Sequence, residues 1–281
     1  MPKVLRCSKI KGGIINMNYQ TYEITGKHKN TNRKKVVTIN AKTEDLAKQK
    51  ALEEFDLILP LQIVLIPHRK PTESQLNYAR NLKIEIPCGA TLEDVSCLIS
   101  KCIDHDKDPN PGLIEFADGQ NLLFSNYIGK KVLYDLIYEH LTGLDKTAFF
   151  IFSIYRWLSE DRQANLDTHP EKETFYLFAE QVKSDEPFQK SMQRYGGSDL
   201  RFFNEIHFSN GGVITGGSDK TLAYKKASAF LKDLYGVKLT KTKTFEDKPT
   251  NKSLPKNIGC LMPLLGMASI IILIYFLFTI Y

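Results

Sequence analysis

Two histidines come nearest to a catalytic pattern in this chain. His169 follows Asp167, whose carboxylate could orient an imidazole, and His207 lies further along the sequence. A hydrolase or a metal enzyme built around Asp167, His169 and His207 is therefore one hypothesis. However, no G-x-S-x-G nucleophile turn, H-E-x-x-H zinc motif or G-x-G-x-x-G dinucleotide loop accompanies them. We therefore predict no catalytic residue, no cofactor and no metal.

Two loops resemble ligand-binding motifs, but each departs from its motif at a required position. Asp104–Glu115 places acids at positions 1, 3, 5 and 12 of a calcium loop, but position 6, which needs a positive φ, is Pro109. Gly211–Thr221 is glycine-rich like a phosphate loop, but Ser218 and Asp219 separate its glycines from the lysine. These patterns predict an acidic loop between domains and a hairpin followed by a helix that Ser218 caps.

Composition and charge describe a globular but polarised chain. The 281 residues are 42% hydrophobic and 25% charged, which excludes collagen-like and wholly disordered proteins. Residues 1–50 and 220–256 have an excess of lysine and arginine, residues 51–219 have an excess of acids, and the net charge is +6. The basic ends can therefore neutralise the acidic middle or meet a polyanion.

The segment 258–281 predicts a transmembrane helix. It contains no charged side chain, and the 21 residues from Leu261 onward would form a helix of about 31 Å, close to the hydrocarbon thickness of a bilayer. Apolar residues occur on every side of this helix, as in a membrane span. The segment resembles the anchors of tail-anchored, single-pass membrane proteins, and this resemblance implies topology only.

The residues before this segment predict its orientation. Residues 237–257 form a polybasic linker in which Lys248, Lys252 and Lys256 are expected to contact anionic lipid. Because positive charge stays on the cytoplasmic side, we expect the N-terminal bulk to lie in the cytoplasm. At the other end, we expect residues 1–18 to be a disordered basic leader.

Residues 19–67 predict a small β-β-α-β unit. Strands are indicated by the alternating run 19–25, the β-branched run 36–39 and the apolar run 63–66, and Thr43 can cap an intervening helix.

Residues 71–103 predict two short helices joined by an extended loop. Thr72 with Gln75, and Thr91 with Asp94, have the spacing of capping boxes. The segment resembles SAP-type helix–extended-loop–helix modules, many of which bind DNA, so this resemblance implies nucleic acid as a partner.

The same resemblance supports an alternative function, in which a membrane-tethered nucleic-acid-binding protein uses residues 27–50 together with 71–103. The cations of the first segment are Lys27, Lys29, Arg33, Lys34 and Lys35. The second segment departs from the DNA-binding pattern, because acids outnumber cations in its middle and phosphate contacts dominate DNA affinity.

Residues 113–236 predict a mainly helical domain that includes the hairpin. Its most apolar helix, 145–158, has an uncharged stretch too short to cross a bilayer and should be a buried core helix. The predicted fold is therefore α+β, mostly helical, with one C-terminal transmembrane helix. The predicted function is that of a non-enzymatic, membrane-tethered binding or scaffolding protein, whose partners are the lipid bilayer and another protein.

Overall fold

The computed structural model describes residues 18–207 and 211–236. Internal contacts divide the chain into two units at Lys243, and every described residue belongs to the first unit. Within the described residues, the fold is α+β, with nine α-helices, one 3-10 helix, a three-stranded antiparallel sheet and a two-stranded hairpin. The mixed and mostly helical fold class is confirmed for this part of the chain.

Several predictions concern residues outside the described ranges. These are the leader before Asn18, the polybasic linker 237–257 with its three lipid-contacting lysines, and the transmembrane helix 258–281. None of the described helices is both long enough and apolar enough to cross a membrane.

The first described elements form the β-β-α-β unit. They are β1 (Gln20–His28), β2 (Lys34–Ala41), α1 (Glu44–Glu53) and β3 (Leu57–Ile66). The strand order is β2-β1-β3, and both pairs are antiparallel. β3 therefore lies at one edge of the sheet.

A small core fills the space between the sheet and α1. The Thr43 side chain accepts a hydrogen bond from the Leu46 amide and so caps the helix, as predicted. Ala47 and Ala51 on α1 are fully buried with Ile24 of the central strand in one hydrophobic cluster. The alanines allow the helix to approach the sheet closely because they carry little side-chain volume.

The helix–extended-loop–helix segment is present, with α2 (Glu73–Asn81) and α3 (Leu92–Ile103). Both predicted capping boxes are confirmed. In the second, the carboxylate of the fully buried Asp94 also accepts a 2.6 Å hydrogen bond from the Ser125 hydroxyl. This bond ties α3 to the helical domain.

The helical domain surrounds one apolar helix. Its elements are α4 (Pro111–Gly119), α5 (Lys130–His140), α6 (Gly143–Ser159), α7 (Lys172–Gln181), α8 (Glu186–Met192), a 3-10 helix (Gly197–Arg201), β4 (Glu205–His207), β5 (Val213–Thr215) and α9 (Leu222–Tyr235). Residues 147–154 of α6 are all buried, which confirms the predicted core helix. α7 and α9 pack directly against α6.

Four local predictions were wrong or incomplete. Thr221, not Ser218, caps α9, because its hydroxyl accepts the hydrogen bond from the Tyr224 amide. β3 is longer than the predicted run 63–66 and contains Pro60, which an edge strand tolerates because one of its sides makes no ladder hydrogen bonds. The helices α4 and α8 were missed, since both begin with a proline in the first turn within polar, turn-like sequence.

Candidate functional site

Four of the five predicted nucleic-acid-binding cations lie together at one end of the sheet. We call the exposed side chains of Lys27, Lys29, Arg33 and Lys34 the basic turn. Lys27 and Lys34 are direct cross-strand partners, so two like charges are adjacent on the same face of the sheet. The cluster therefore concentrates positive charge beside one exposed acid, Asp56, whose carbonyl oxygen accepts a 2.8 Å hydrogen bond from the Lys29 amide.

The fifth cation, Lys35, has a structural role. Its ammonium donates a 3.0 Å hydrogen bond to the Phe55 carbonyl oxygen and lies 5.6 Å from the centre of the Phe55 ring. Because side chains alternate along a strand, Lys35 points to the opposite face from Lys34. Lys35 is thus not part of the basic turn.

The apolar edge of the sheet is a feature that sequence reasoning missed. Ile58, Leu59, Val64 and Leu65 of β3 are exposed, and we call them the β3 edge. The exposed fractions of Leu59, Val64 and Leu65 are 62%, 47% and 55%. Within the described residues, β3 pairs only with β1, so its other side has no partner strand there.

The basic turn and the β3 edge adjoin each other. Lys27 is the cross-strand partner of Ile58, at the beginning of β3. Neighbouring strands are separated by about 4.8 Å, so Lys27 on β1 lies well within one Debye length of β3, whereas Lys34 on β2 is two strand spacings away. One face of the sheet therefore combines the exposed side chains of Ile58 and Val64 with Lys27 and Lys34, whereas Leu65, which pairs with buried Tyr22, lies on the other face.

The helix–extended-loop–helix segment lies at the opposite end of the sheet. The rings of Tyr19 and His68 are in edge contact just before α2, and Ile66 pairs with Thr21 at the far end of β1. Six residues of strand, about 20 Å, separate Thr21 from Lys27. The two halves of the predicted nucleic-acid interface are therefore far apart on the sheet.

Two members of the predicted catalytic trio, Asp167 and His169, hydrogen-bond to different partners rather than to each other in the described part of the chain. Asp167 makes a 3.1 Å ion pair with Lys172 and accepts a bond from Gln120, whereas His169 Nδ1 accepts a 3.1 Å hydrogen bond from the Glu171 amide. His207 lies on β4. Among the residues that the structure describes, no three His, Cys, Asp or Glu side chains group as metal ligands.

His169 does line a cavity of about 490 Å³ in the helical domain. Burial lowers the pKa of its imidazole, while the nearby carboxylates of Asp161 and Glu171 oppose this shift. Its ring packs against Phe152 and Tyr155 at centroid distances of 5.7 and 4.9 Å. The sequence singled out His169 only as part of the enzyme hypothesis, and it did not indicate the aromatic side chains that pack beside it.

Burial also lowers the pKa of Lys130, to about 8, and the positive charge of Arg156 adds to this effect. The guanidinium of Arg156 is itself buried and donates hydrogen bonds to the Tyr134 hydroxyl and to the carbonyl oxygens of residues 161 and 162. It therefore fixes the loop after α6, which forms part of the cavity wall.

Comparisons of the chain with models of protein families, with curated proteins and with solved structures find no match.

Proposed function

We propose that this chain is a non-enzymatic, membrane-tethered binding protein whose β3 edge receives an extended peptide segment of a protein partner. The observation that carries the proposal is the exposed apolar strand at the edge of the sheet. Natural edge strands are normally short, charged, covered or interrupted by a proline or a bulge, because an open apolar edge pairs with other chains. β3 contains Pro60 but continues to Ile66 beyond it. A ten-residue strand with four exposed large apolar side chains fits a recognition surface.

The chemistry of the surface defines the partner segment. Strand addition supplies backbone hydrogen bonds, and side chains on the two faces of the added strand would cover Val64 on one face of the sheet and Leu65 on the other. The basic turn adds attraction for acids near the beginning of β3. Since the sheet is antiparallel, an added antiparallel strand would place its C-terminal end there. The expected occupant is an extended apolar segment with acids at its C-terminal end.

Peptide binding to the full chain in detergent micelles tests this proposal. The probe is a fluorescent ten-residue peptide of alternating valine and threonine followed by three glutamates, and fluorescence anisotropy reports its binding. We expect it to bind more tightly than peptides with the glutamates at the N-terminal end or with lysines in their place. Equal affinity for all three peptides contradicts the proposed orientation and charge preference.

Backbone methylation of the peptide distinguishes strand addition from nonspecific hydrophobic binding. Two versions of the peptide carry N-methyl groups on alternate residues, in the two possible registers. Only one side of an added strand bonds to β3, so one version should lose binding and the other should retain it. Retention by both versions would exclude strand addition.

The same fluorescence anisotropy assay can show whether the partner is a nucleic acid instead. Duplex DNA and single-stranded RNA are titrated at 50 and 200 mM salt. If either binds more tightly than the acidic peptide and loses affinity steeply as salt increases, the basic turn serves phosphate contacts and the peptide proposal fails.

The tether is supported by the uncharged segment 258–281 and by the lysines of the linker before it. Vesicle sedimentation compares the full chain with a chain truncated before Ile258. We expect only the full chain to sediment with vesicles and to remain bound after alkaline carbonate treatment. Identical behaviour of the two chains would rule out the tether while leaving peptide binding to be judged separately.

A further inference from the structure

A group of cationic side chains surrounds the beginning of α5. Lys130 is the first residue of this helix, and Tyr134 follows it about one turn later. The Tyr134 hydroxyl accepts a 3.1 Å hydrogen bond from the guanidinium of Arg156, which also bonds to the carbonyl oxygen of Arg162. The 3-10 helix that ends with Arg201 packs against α5. We call Lys130, Arg156, Arg162 and Arg201 the cationic cluster.

The charges of the cationic cluster act on one another. Burial lowers the pKa of Lys130. The positive charges of Arg156, Arg162 and Arg201 each lower it further, which requires them to lie close to the ammonium. Burial raises the pKa of the Tyr134 hydroxyl, and the charges of Arg156 and Arg201 oppose this increase. The cluster therefore contains a mutual repulsion that a bound anion would relieve.

The ion pairs of the described residues include no member of the cationic cluster. Acids on the same or adjoining segments accept hydrogen bonds from backbone amides instead, and they are Asp106, Asp135, Asp161 and Asp199. These carboxylates stabilise the backbone around the cluster. Within the described ranges, they leave the four cations without an ion-pair partner.

Arg156 is buried without a counter-ion in the described part of the chain. Only 5% of this residue is exposed, and its hydrogen-bond acceptors are the neutral Tyr134 hydroxyl and the carbonyl oxygens of residues 161 and 162. The guanidinium makes three hydrogen bonds to described residues, although it has five N–H donors. Arginine is rarely buried unless it is paired, because removing its charge from water costs free energy.

The other three cations are accessible to a ligand. Lys130 and Arg201 are partly exposed, and Arg162 is exposed. An anion can therefore contact these side chains at the surface. The charge of Arg156 attracts the anion even without direct contact, because charges interact more strongly in the interior than in water.

The backbone that carries the cations is fixed before any ligand binds. A Cβ atom at Gly197, in the 3-10 helix, would be 2.3 Å from the Tyr134 carbonyl oxygen, so the two helices are in close contact. The Arg162 carbonyl oxygen accepts hydrogen bonds from the side chains of both Asn110 and Arg156. Such preorganisation lowers the entropic cost of binding.

We propose that the cationic cluster binds a phosphate group, which contacts the three accessible cations and is attracted by the buried charge of Arg156. Phosphate suits the cluster because its double negative charge matches several cations and because guanidinium groups donate paired hydrogen bonds to its oxygens. The group can belong to free inorganic phosphate or to a lipid headgroup. The site shares no residue with the β3 edge.

Calorimetry on the full chain in detergent micelles tests the proposal. The probes are inorganic phosphate, dioctanoyl phosphatidylinositol 4-phosphate and acetate, all at the same ionic strength. Dioctanoyl phosphatidylinositol, which lacks the terminal phosphate, corrects for entry of the lipid into micelles. We expect at least one of the two phosphates to bind much more tightly than acetate. Tighter binding of inorganic phosphate indicates a free phosphate as the natural ligand, and tighter binding of the lipid indicates a headgroup.

Proton uptake assigns the binding to Lys130. Its pKa of about 8 leaves much of the ammonium deprotonated at pH 8.5, and a bound phosphate dianion should raise this pKa. Binding should therefore take up protons, which is measured from the heats in two buffers of different ionisation enthalpy. Lys130→Met should abolish the uptake. Binding to the wild type without proton uptake would place the phosphate elsewhere.

Matched variants locate the binding site. Lys130→Met and Arg162→Gln should each weaken phosphate binding roughly tenfold, because each removes a charge-assisted hydrogen bond. Lys130→Met removes a repelled, partly buried charge and should not unfold the chain, and circular dichroism confirms that each variant is folded. Lys225→Met removes a positive charge from an exposed position of α9 and should leave the affinity unchanged.

Three further results would overturn the proposal. They are absence of heat with both phosphates at millimolar concentration, binding of acetate as tight as that of the phosphates, and equal weakening by Lys130→Met and Lys225→Met. None of these results bears on peptide binding at the β3 edge.

Discussion

The sheet unit and the helical domain place their large apolar side chains differently. In the described residues, the helical domain has a cluster of thirty buried hydrophobic residues centred on α6, and the sheet unit has a cluster of eight. Yet β3 alone exposes Ile58, Leu59, Val64 and Leu65. The described helical domain also exposes seven large apolar side chains, but these are spread over α4, α5, α7, β5 and α9, whereas β3 exposes four within ten residues. The apolar surface is therefore more concentrated on β3 than on any helix.

The largest predicted effect is the loss of core packing in the helical domain. Phe150 is fully buried and contacts the rings of Phe188, Tyr195 and Phe203. Phe150→Ala should lower the free energy of unfolding by about 3–5 kcal/mol, measured by urea denaturation. Val64→Ala should change it by less than about 0.5 kcal/mol. If the two substitutions lowered the free energy of unfolding equally, the two regions would not differ in how they use large apolar side chains.

A smaller effect is expected where the cavity wall meets α4. Gly112→Ala forces a Cβ atom against the backbone of the loop and should cost about 1–3 kcal/mol of stability. Gly119→Ala is the control, because the nearest atom would be 3.3 Å away and belongs to the Asp167 side chain. Thermal unfolding of both variants measures the difference. Unchanged stability in Gly112→Ala would show that the loop is not fixed by this contact.

The titration of Lys130 should make the stability of the helical domain increase with pH in the alkaline range. Its folded-state pKa of about 8 is below the ordinary value of 10.5, so between these pH values the unfolded chain binds more protons and stability rises with pH. Lys130→Met removes this titration and should be more stable than the wild type at pH 7. We expect this advantage to shrink between pH 8 and 10 in urea midpoints. A constant difference would show that the Lys130 pKa is not lowered.

The smallest effect separates the two faces of the sheet. Lys35→Met removes a hydrogen bond and a cation–π contact and should cost about 0.5–1 kcal/mol of stability. Lys34→Met should leave stability within about 0.5 kcal/mol but weaken binding of the acidic peptide. Chemical denaturation measures the effect of each substitution on stability, and fluorescence anisotropy measures its effect on peptide binding. If only Lys35→Met weakened peptide binding, the peptide would contact the face of Lys35 and not, as proposed, the face of Lys34.

Local patterns predicted much of this fold. The spacings Thr72–Gln75 and Thr91–Asp94 correctly located two helix starts, because capping depends on neighbouring residues. The apolar run of α6 correctly indicated burial. The start of α9 was misplaced, since both Ser218 and Thr221 are suitable caps and only packing selects between them.

The candidate sites were less predictable because they depend on tertiary structure. The apolar run of β3 suggests a buried strand, and only its edge position leaves Leu59 and Leu65 exposed. His169 was identified from the sequence, but Tyr155 and Tyr235 are 80 residues apart in sequence and meet only when α6 packs against α9.

Amide hydrogen exchange of the full chain, with and without the valine–threonine–glutamate peptide, tests the central claim most directly. If the peptide adds a strand to the sheet, exchange should slow within residues 57–66 and remain unchanged within residues 143–159 of α6. Protection of α6 or the cavity loop without protection of β3, at a peptide concentration that saturates binding, would contradict the account.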